Sequence, residues 1–177
     1  MNNSKLFHLT TVQKIGCWFI LWSLLGLLQT FRLYYAYNVY NPNILTWQKS
    51  AIWAFNEWYL WGLLSLLVIK VVHIIQDKSL IIKISTFITG MIVMPALHLY
   101  LYSVVWLWTK NWYYAEIMTS YNSAYEIFIG SYLGKINDNS VAFIFIVVGV
   151  YAFNYYRQLF LEKTRIAELN RTLAETK

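Results

Sequence analysis

The main sequence evidence for the fold is the stretch AIWAFNEWYLWGLLSLLVIKVVHII, residues 51–75. Only Glu57 and Lys70 carry a full charge within it. A helix that crosses the hydrocarbon core of a bilayer needs about 20 mainly apolar residues, so the stretch is long enough to span a membrane. Three tryptophans lie near one end, namely Trp53, Trp58 and Trp61. Amphipathic rings favour the membrane–water boundary, which predicts that this end lies there.

The composition excludes a soluble globular domain. Only 12% of the 177 residues are charged, whereas soluble domains average about 25%. The net charge of +6 comes from basic residues that flank apolar runs. We therefore interpret it as a topology signal and expect no nucleic acid partner. Cys17 is the only cysteine, so the chain forms no intrachain disulfide.

Four apolar runs predict four membrane spans, at about residues 13–33, 51–75, 80–108 and 140–161. Backbone polar groups must bond internally in lipid, so the predicted fold class is an all-α transmembrane four-helix bundle. A connection containing Asn41-Pro42-Asn43 joins the first two spans. A second polar connection, residues 109–140, has apolar residues at three-to-four spacing. That spacing favours a helix lying at the interface or continuing the third span.

Basic residues predict the orientation of the bundle. The N-terminal segment, the turn after span two with its flanks, and the tail together hold ten Lys and Arg. The two long connections hold four: Arg32, Lys49, Lys110 and Lys135. Because cytoplasmic segments are enriched in Lys and Arg, both termini are predicted to be cytoplasmic. The tryptophan-rich end of span two then faces outward.

At the tail, residues 157–177, the composition changes abruptly from apolar to charged, with a pattern typical of a helix. Ile166, Leu169 and Leu173 follow three-to-four spacing over about two heptads. One interpretation is a solvated helix continuous with span four. The other is a dimeric signalling helix that leads into an effector, which would make this chain part of a longer protein. Together with a sensor at residues 1–156, the tail gives the predicted domain organisation.

Three segments carry a resemblance to a known family. They are FNEWYLWGLLSLLVIK (residues 55–70), WSLLGLLQT (residues 22–30) and RIAELNRTLAETK (residues 165–177). Together they resemble the membrane half of bacterial sensor histidine kinases that have a four-span sensor. In that family the kinase half begins with a Pro-His-Phe-Leu-Phe-Asn box, which this chain lacks.

The resemblance implies a homodimer in the bacterial inner membrane, formed through span four and the tail. It also implies a two-component system, in which the parent protein is an autokinase that uses ATP and Mg²⁺ and phosphorylates a response regulator. None of the histidines of this chain matches the phosphoacceptor. We therefore expect no catalytic residue, cofactor or metal within the chain itself.

Glu57 is the most informative charge, because an ionisable group within a membrane segment is costly and often functional. It could recognise a stimulus, it could lie in the headgroup region, or it could form a structural pair with Arg32 at the outer end of span one. Trp61 is a further candidate for contact with a stimulus, in an aromatic-lined pocket.

His98 and Pro95 are the candidates in span three. His98 could be a hydrogen-bonded bundle residue or a ligand-facing group. A haem or metal shared with His73 is excluded by a difference in depth of roughly 20 Å, at about 1.5 Å per residue. Pro95 removes one backbone hydrogen bond, which predicts either a static bend or a signalling hinge.

The sequence therefore predicts a transmembrane sensor that passes a stimulus from the outer half of the bundle to a kinase through span four. The alternative is a self-contained small membrane protein, either a carrier or an accessory subunit. A carrier should show internal repeats with helices broken at matched positions. The two halves of this chain show no such correspondence, and Pro95 has no counterpart in the first half.

Overall fold

The computed structural model describes residues 11–39, 45–113 and 123–176, which form four long helices. They are α1 (Thr11–Asn38), α2 (Trp47–Ile75), α3 (Leu80–Tyr113) and α4 (Ala124–Glu175). Each is long and apolar enough to cross a membrane, so the predicted all-α membrane bundle is confirmed. The chain is a multi-pass membrane protein. The Asn41-Pro42-Asn43 connection lies outside the described residues.

The start of α4 differs from the prediction. Much of the second polar connection belongs to the fourth helix and does not continue the third, because α4 begins at Ala124. Ser123 Oγ accepts a hydrogen bond from the Glu126 backbone N–H at 3.2 Å. Ser and Glu at this spacing are the residues of a helix-capping box. The helix therefore begins some 16 residues before the apolar run that marks its membrane span.

Helix α2 is the centre of the bundle. In its most apolar window 39% of residues are buried, against 11–17% in the other three helices. Helices α1, α3 and α4 all pack against α2, and α4 also packs along α3. The backbone of α1 does not approach that of α3 or α4. Helices that follow one another in the chain are antiparallel, whereas α2 and α4 run parallel. We call the end near residues 39–46 the loop end and the end near residues 76–79 the turn end.

Aromatic packing holds α1 against α2. The Ser23 and Tyr59 hydroxyl groups are hydrogen-bonded at 2.8 Å, and Trp22 and Trp58 pack with ring centroids 6.1 Å apart. Gly62 lies beneath the α1 tryptophans, where a Cβ would come within 2.8 Å of the Trp18 ring. A glycine is needed here because only a bare backbone leaves room for the rings.

Gly62 gives a direct test of this packing. We expect Gly62→Leu to destabilise the bundle by about 1–3 kcal/mol, because overpacking forces side chains and backbone apart. Gly149→Leu is the matched control, since nothing lies within 4 Å of a Cβ at Gly149. Unfolding in mixed detergent micelles, followed by circular dichroism, compares the two. Equal midpoints for both variants would contradict the proposed close approach.

The buried apolar residues form two clusters along the bundle. The larger lies in the turn half and contains Trp22, Trp61, Leu64, Val68, Val72, Met94, Phe143 and Val147. The smaller lies at the loop end and contains Leu45, Tyr102, Trp106 and Ile127. Many other large apolar side chains on the four helices are exposed, as expected for surfaces that face lipid. Polar side chains lie between the two clusters.

Candidate functional site

A buried polar layer joins α2, α3 and α4 between the two apolar clusters. Its three side chains are almost completely buried, with Trp61 at 2%, His98 at 1% and Asn139 at 2% exposure. The His98 and Trp61 rings stack with centroids 4.6 Å apart and planes 14° apart. Buried polar groups are costly unless they are hydrogen-bonded, so their partners determine what this layer contributes.

Asn139 links α4 to α2. Trp61 Nε1 donates a hydrogen bond to Asn139 Oδ1 at 2.9 Å. Asn139 Nδ2 donates in turn to the Lys135 carbonyl oxygen of its own helix, also at 2.9 Å. This second bond fixes the orientation of the amide and presents its oxygen to the indole. The bond therefore sets how α4 is rotated against α2.

His98 links α3 to α2. Its Nε2 lies 3.1 Å from the Glu57 carbonyl oxygen. Because a carbonyl oxygen only accepts, Nε2 carries the proton in this bond. Nδ1 is buried and has no hydrogen-bond partner among the described residues. His98 is thus a bundle residue that holds α3 at the level of Glu57.

Lys135 covers the loop-end side of the layer. Its Nζ lies 4.4 Å from the Tyr102 ring centroid and 5.4 Å from that of Trp53. A cation over aromatic faces is stabilised by the negative potential of the rings. Lys135 therefore brings a positive charge close to the layer without a carboxylate at the contact.

A cleft of about 280 Å³, with charged and apolar residues in its lining, lies beside the layer and between α1, α2 and α4. Its charged lining residues are Arg32, Glu57 and Asp138. Its other lining residues are Gln29, Trp58, Trp61, Asn139, Val141, Ala142 and Phe145. The cleft exists because α1 and α4 both pack on α2 while their backbones stay apart from each other.

The charged side chains that line the cleft form no ion pairs with one another among the described residues. No ion pair joins Arg32 to Glu57 or Asp138 in the described part of the chain, so the structural pair considered for Arg32 and Glu57 is absent there. Trp58 Nε1 is buried and has no hydrogen-bond partner within the described residues. The cleft thus offers one cation and two anions to a ligand.

Three of the predicted candidates, Arg32, Glu57 and Trp61, line this cleft. His98 is not among its lining residues and contacts it through the Trp61 ring. Asp138 and Asn139 were missed, because the polar run around them looks like a loop in the sequence. The capping residues Ser123 and Glu126 are the signal that could have placed both on a helix.

Pro95 lies inside α3, one turn before His98, and α3 continues on both sides of it. It has no N–H for the Met91 carbonyl, four residues earlier. Ser140 Oγ lies 3.5 Å from that carbonyl oxygen and 2.8 Å from the Ile136 carbonyl oxygen. One hydroxyl proton cannot bond both acceptors fully, so the carbonyl freed by Pro95 is only weakly satisfied by Ser140.

No group of three His, Cys, Asp or Glu side chains that could hold a metal occurs in the ranges that the structure describes. The signalling-helix candidates Ile166, Leu169 and Leu173 lie far along α4 from the cleft, and all three are exposed.

No protein-family model, curated protein or solved structure matches this chain. Its function is therefore inferred from the site itself.

Proposed function

We propose that this chain is the transmembrane sensor and signal-transducing domain of a two-component sensor histidine kinase. The observation that carries the proposal is the continuity of α4. This single helix contributes Asp138 and Asn139 to the cleft, contains the fourth candidate span, and continues to Glu175. Its 52 residues correspond to a length of roughly 78 Å at about 1.5 Å per residue.

The polar layer couples the cleft to α4. A ligand that binds Asp138 would shift the α4 backbone at this point. The next residue, Asn139, is hydrogen-bonded through its side chain to Trp61, so the shift would strain that bond. Helix shifts of about 1–2 Å are a common means of switching. Two arrangements of α4 relative to α2 would then differ in their contacts in the cleft, and a stimulus that binds one better shifts the population toward it.

The tail provides the output surface. Ile166, Leu169 and Leu173 are 57%, 56% and 64% exposed, so this apolar stripe has no partner within the described chain. Apolar residues at this spacing pair with an equivalent helix in a parallel coiled coil. In the proposal, two copies pair through α4 and the tail, and the tail leads into a cytoplasmic kinase half that uses ATP and Mg²⁺ and phosphorylates a response regulator. This assigns the turn end to the cytoplasm and the loop end to the outside of the bacterial inner membrane.

A chimera tests this function. Residues 1–177 are joined to the catalytic half of a dimeric histidine kinase, and autophosphorylation is measured in membranes. We expect Glu57→Gln and Asp138→Asn to change the basal rate by about threefold or more, because removing a cleft charge alters the balance of the two states by ~0.7 kcal/mol. Ser140→Ala should also shift the rate if the carbonyl freed by Pro95 belongs to a hinge.

Asp77→Asn is the matched control, because Asp77 is exposed in the turn between α2 and α3. It should leave the rate unchanged. Rates that stay equal to wild type in both cleft variants, with normal amounts of protein in the membrane, would reject the cleft as the receiving site. A chimera without kinase activity in any variant, next to an active parent kinase, would favour a self-contained membrane protein.

A further inference from the structure

We propose that the cleft binds the headgroup of a phospholipid that carries a primary ammonium, such as phosphatidylethanolamine. The inference names a ligand class for the receiving site of the proposed function and rests on that proposal for its regulatory meaning. The binding itself is a property of the cleft. Four observations carry it: the depth of the charged residues, the lateral opening, the graded polarity of the lining and the balance of charges.

The depth of the cleft follows from the spacing of charges along the helices. Helix α1 rises roughly 27 Å from Lys14 to Arg32, and α4 rises roughly 28 Å from Asp138 to Arg157. Both values are close to the hydrocarbon thickness of a bilayer, which is about 30 Å. Arg32 and Asp138 therefore lie where lipid headgroups begin.

The cleft opens sideways into the bilayer. Helices α1 and α4 form its two walls, and their backbones do not approach each other, which leaves a gap through which a lipid can enter without crossing the bundle. Arg32 and Asp138 are exposed on these walls, and Glu57 is half-buried on α2 behind them. An aqueous ligand of the same charge would have to reach the cleft from the loop end.

The lining changes from charged to apolar toward the bilayer centre. Val141, Ala142 and Phe145 follow Asp138 along α4 and lie deeper in the membrane. A headgroup at the charged level would place its glycerol and acyl chains along these residues. The volume of about 280 Å³ lies just below the range of about 300–1,000 Å³ that drug-sized ligands occupy, and it suits a headgroup better than a larger ligand.

The charges select a zwitterion with N–H donors. Arg32 can bind the phosphate, because guanidinium groups pair readily with phosphate oxygens. Glu57 and Asp138 can accept hydrogen bonds from an ammonium group. A quaternary choline group has no N–H to donate, and a glycerol headgroup has no cation for the two carboxylates.

Lipid retention on the purified full chain tests the inference. Phosphatidylethanolamine, phosphatidylcholine and phosphatidylglycerol with identical acyl chains are titrated in detergent, and bound lipid is counted by native mass spectrometry. We expect phosphatidylethanolamine to bind at least about fivefold more tightly than the other two, equivalent to ~1 kcal/mol. Equal retention of the three lipids by the wild-type chain would overturn the inference without any variant.

Variants assign the contacts. Glu57→Gln and Asp138→Asn should each reduce the preference for phosphatidylethanolamine to below about twofold, whereas Arg32→Gln should weaken all three phospholipids. Asp77→Asn, at the turn end, should retain the wild-type preference. A preference that survives both carboxylate variants would place the bound lipid elsewhere and reject the assignment.

A soluble ligand of the same chemistry is distinguished by competition. If millimolar glycerophosphoethanolamine displaces the bound lipid, the free headgroup compound is the ligand, and the assignment to a lipid is wrong. If it does not, the acyl chains contribute to binding as proposed. Lipid selectivity is measured on the chain alone, and the kinase function is measured on the chimera. The lipid proposal and the sensor proposal can therefore be rejected independently of each other.

Discussion

Insertion of one alanine after Glu162 is expected to change the output of the kinase chimera by about tenfold, equivalent to ~1.4 kcal/mol between its two states. The reason is geometric. Helix α4 is unbroken through this point, and each added residue rotates everything beyond it by about 100°. The apolar stripe formed by Ile166, Leu169 and Leu173 then points in a new direction relative to the membrane-spanning part of the helix.

Insertions of different length separate rotation from simple lengthening. Seven alanines return the stripe to within about 20° of its original direction, so output should recover to within about twofold of the starting chimera. Three or four alanines should give intermediate values. Output that changes steadily with insert length and does not recover at seven would mean that the tail is a flexible tether, and the proposed helical coupling would be wrong.

A cysteine at Leu169 gives a second measurement on the same insertions. In a Cys17→Ser background, addition of a mild oxidant such as copper phenanthroline to isolated membranes should link this cysteine between two copies, both in the starting chimera and with seven alanines. The two thiols give up two protons and two electrons, and the oxidant accepts the electrons. A cysteine at Asn170, one residue outside the stripe, is the matched control and should cross-link much less. Equal cross-linking at the two positions would contradict pairing through the stripe.

The sequence predicts the class and the length of the spans because lipid imposes a simple requirement. Each spanning segment needs enough consecutive apolar residues, and charges such as Glu57 and Arg32 are costly within it. The sequence therefore identifies these two residues as candidates, and both line the cleft.

The faces of the helices could not be predicted in the same way. In a soluble helix, polar residues mark the outer surface and apolar ones the core. Here the surroundings are as apolar as the core, so exposed residues such as Leu63 and Leu66 look the same in the sequence as buried Leu64. Which side of α2 meets α4 depends on particular contacts, among them the bond from Trp61 to Asn139. Asn139 lies in a polar segment of the sequence. Such a segment is equally typical of a loop and of a helix that extends beyond the bilayer, so the sequence does not place Asn139 on a helix.

The bond between Trp61 and Asn139 should be among the most costly single contacts to remove. We expect Asn139→Leu to destabilise the bundle by about 1–3 kcal/mol, because it leaves the buried Trp61 Nε1–H without an acceptor. Asn137→Leu makes the same chemical change two residues away at an exposed position and should have little effect. Unfolding midpoints in mixed micelles provide the measurement.

A double-mutant cycle shows whether the loss belongs to the bond. Trp61→Phe leaves the Asn139 oxygen without its donor, while Trp61→Phe combined with Asn139→Leu removes both partners. Removing both should cost less than the sum of the two single changes, by about 0.6–1.7 kcal/mol, which are the average and the maximum for hydrogen bonds between membrane helices. Strict additivity would mean that the two side chains only fill space. A positive coupling would instead show that this bond holds α4 to α2, as the proposed transmission of movement from the cleft requires.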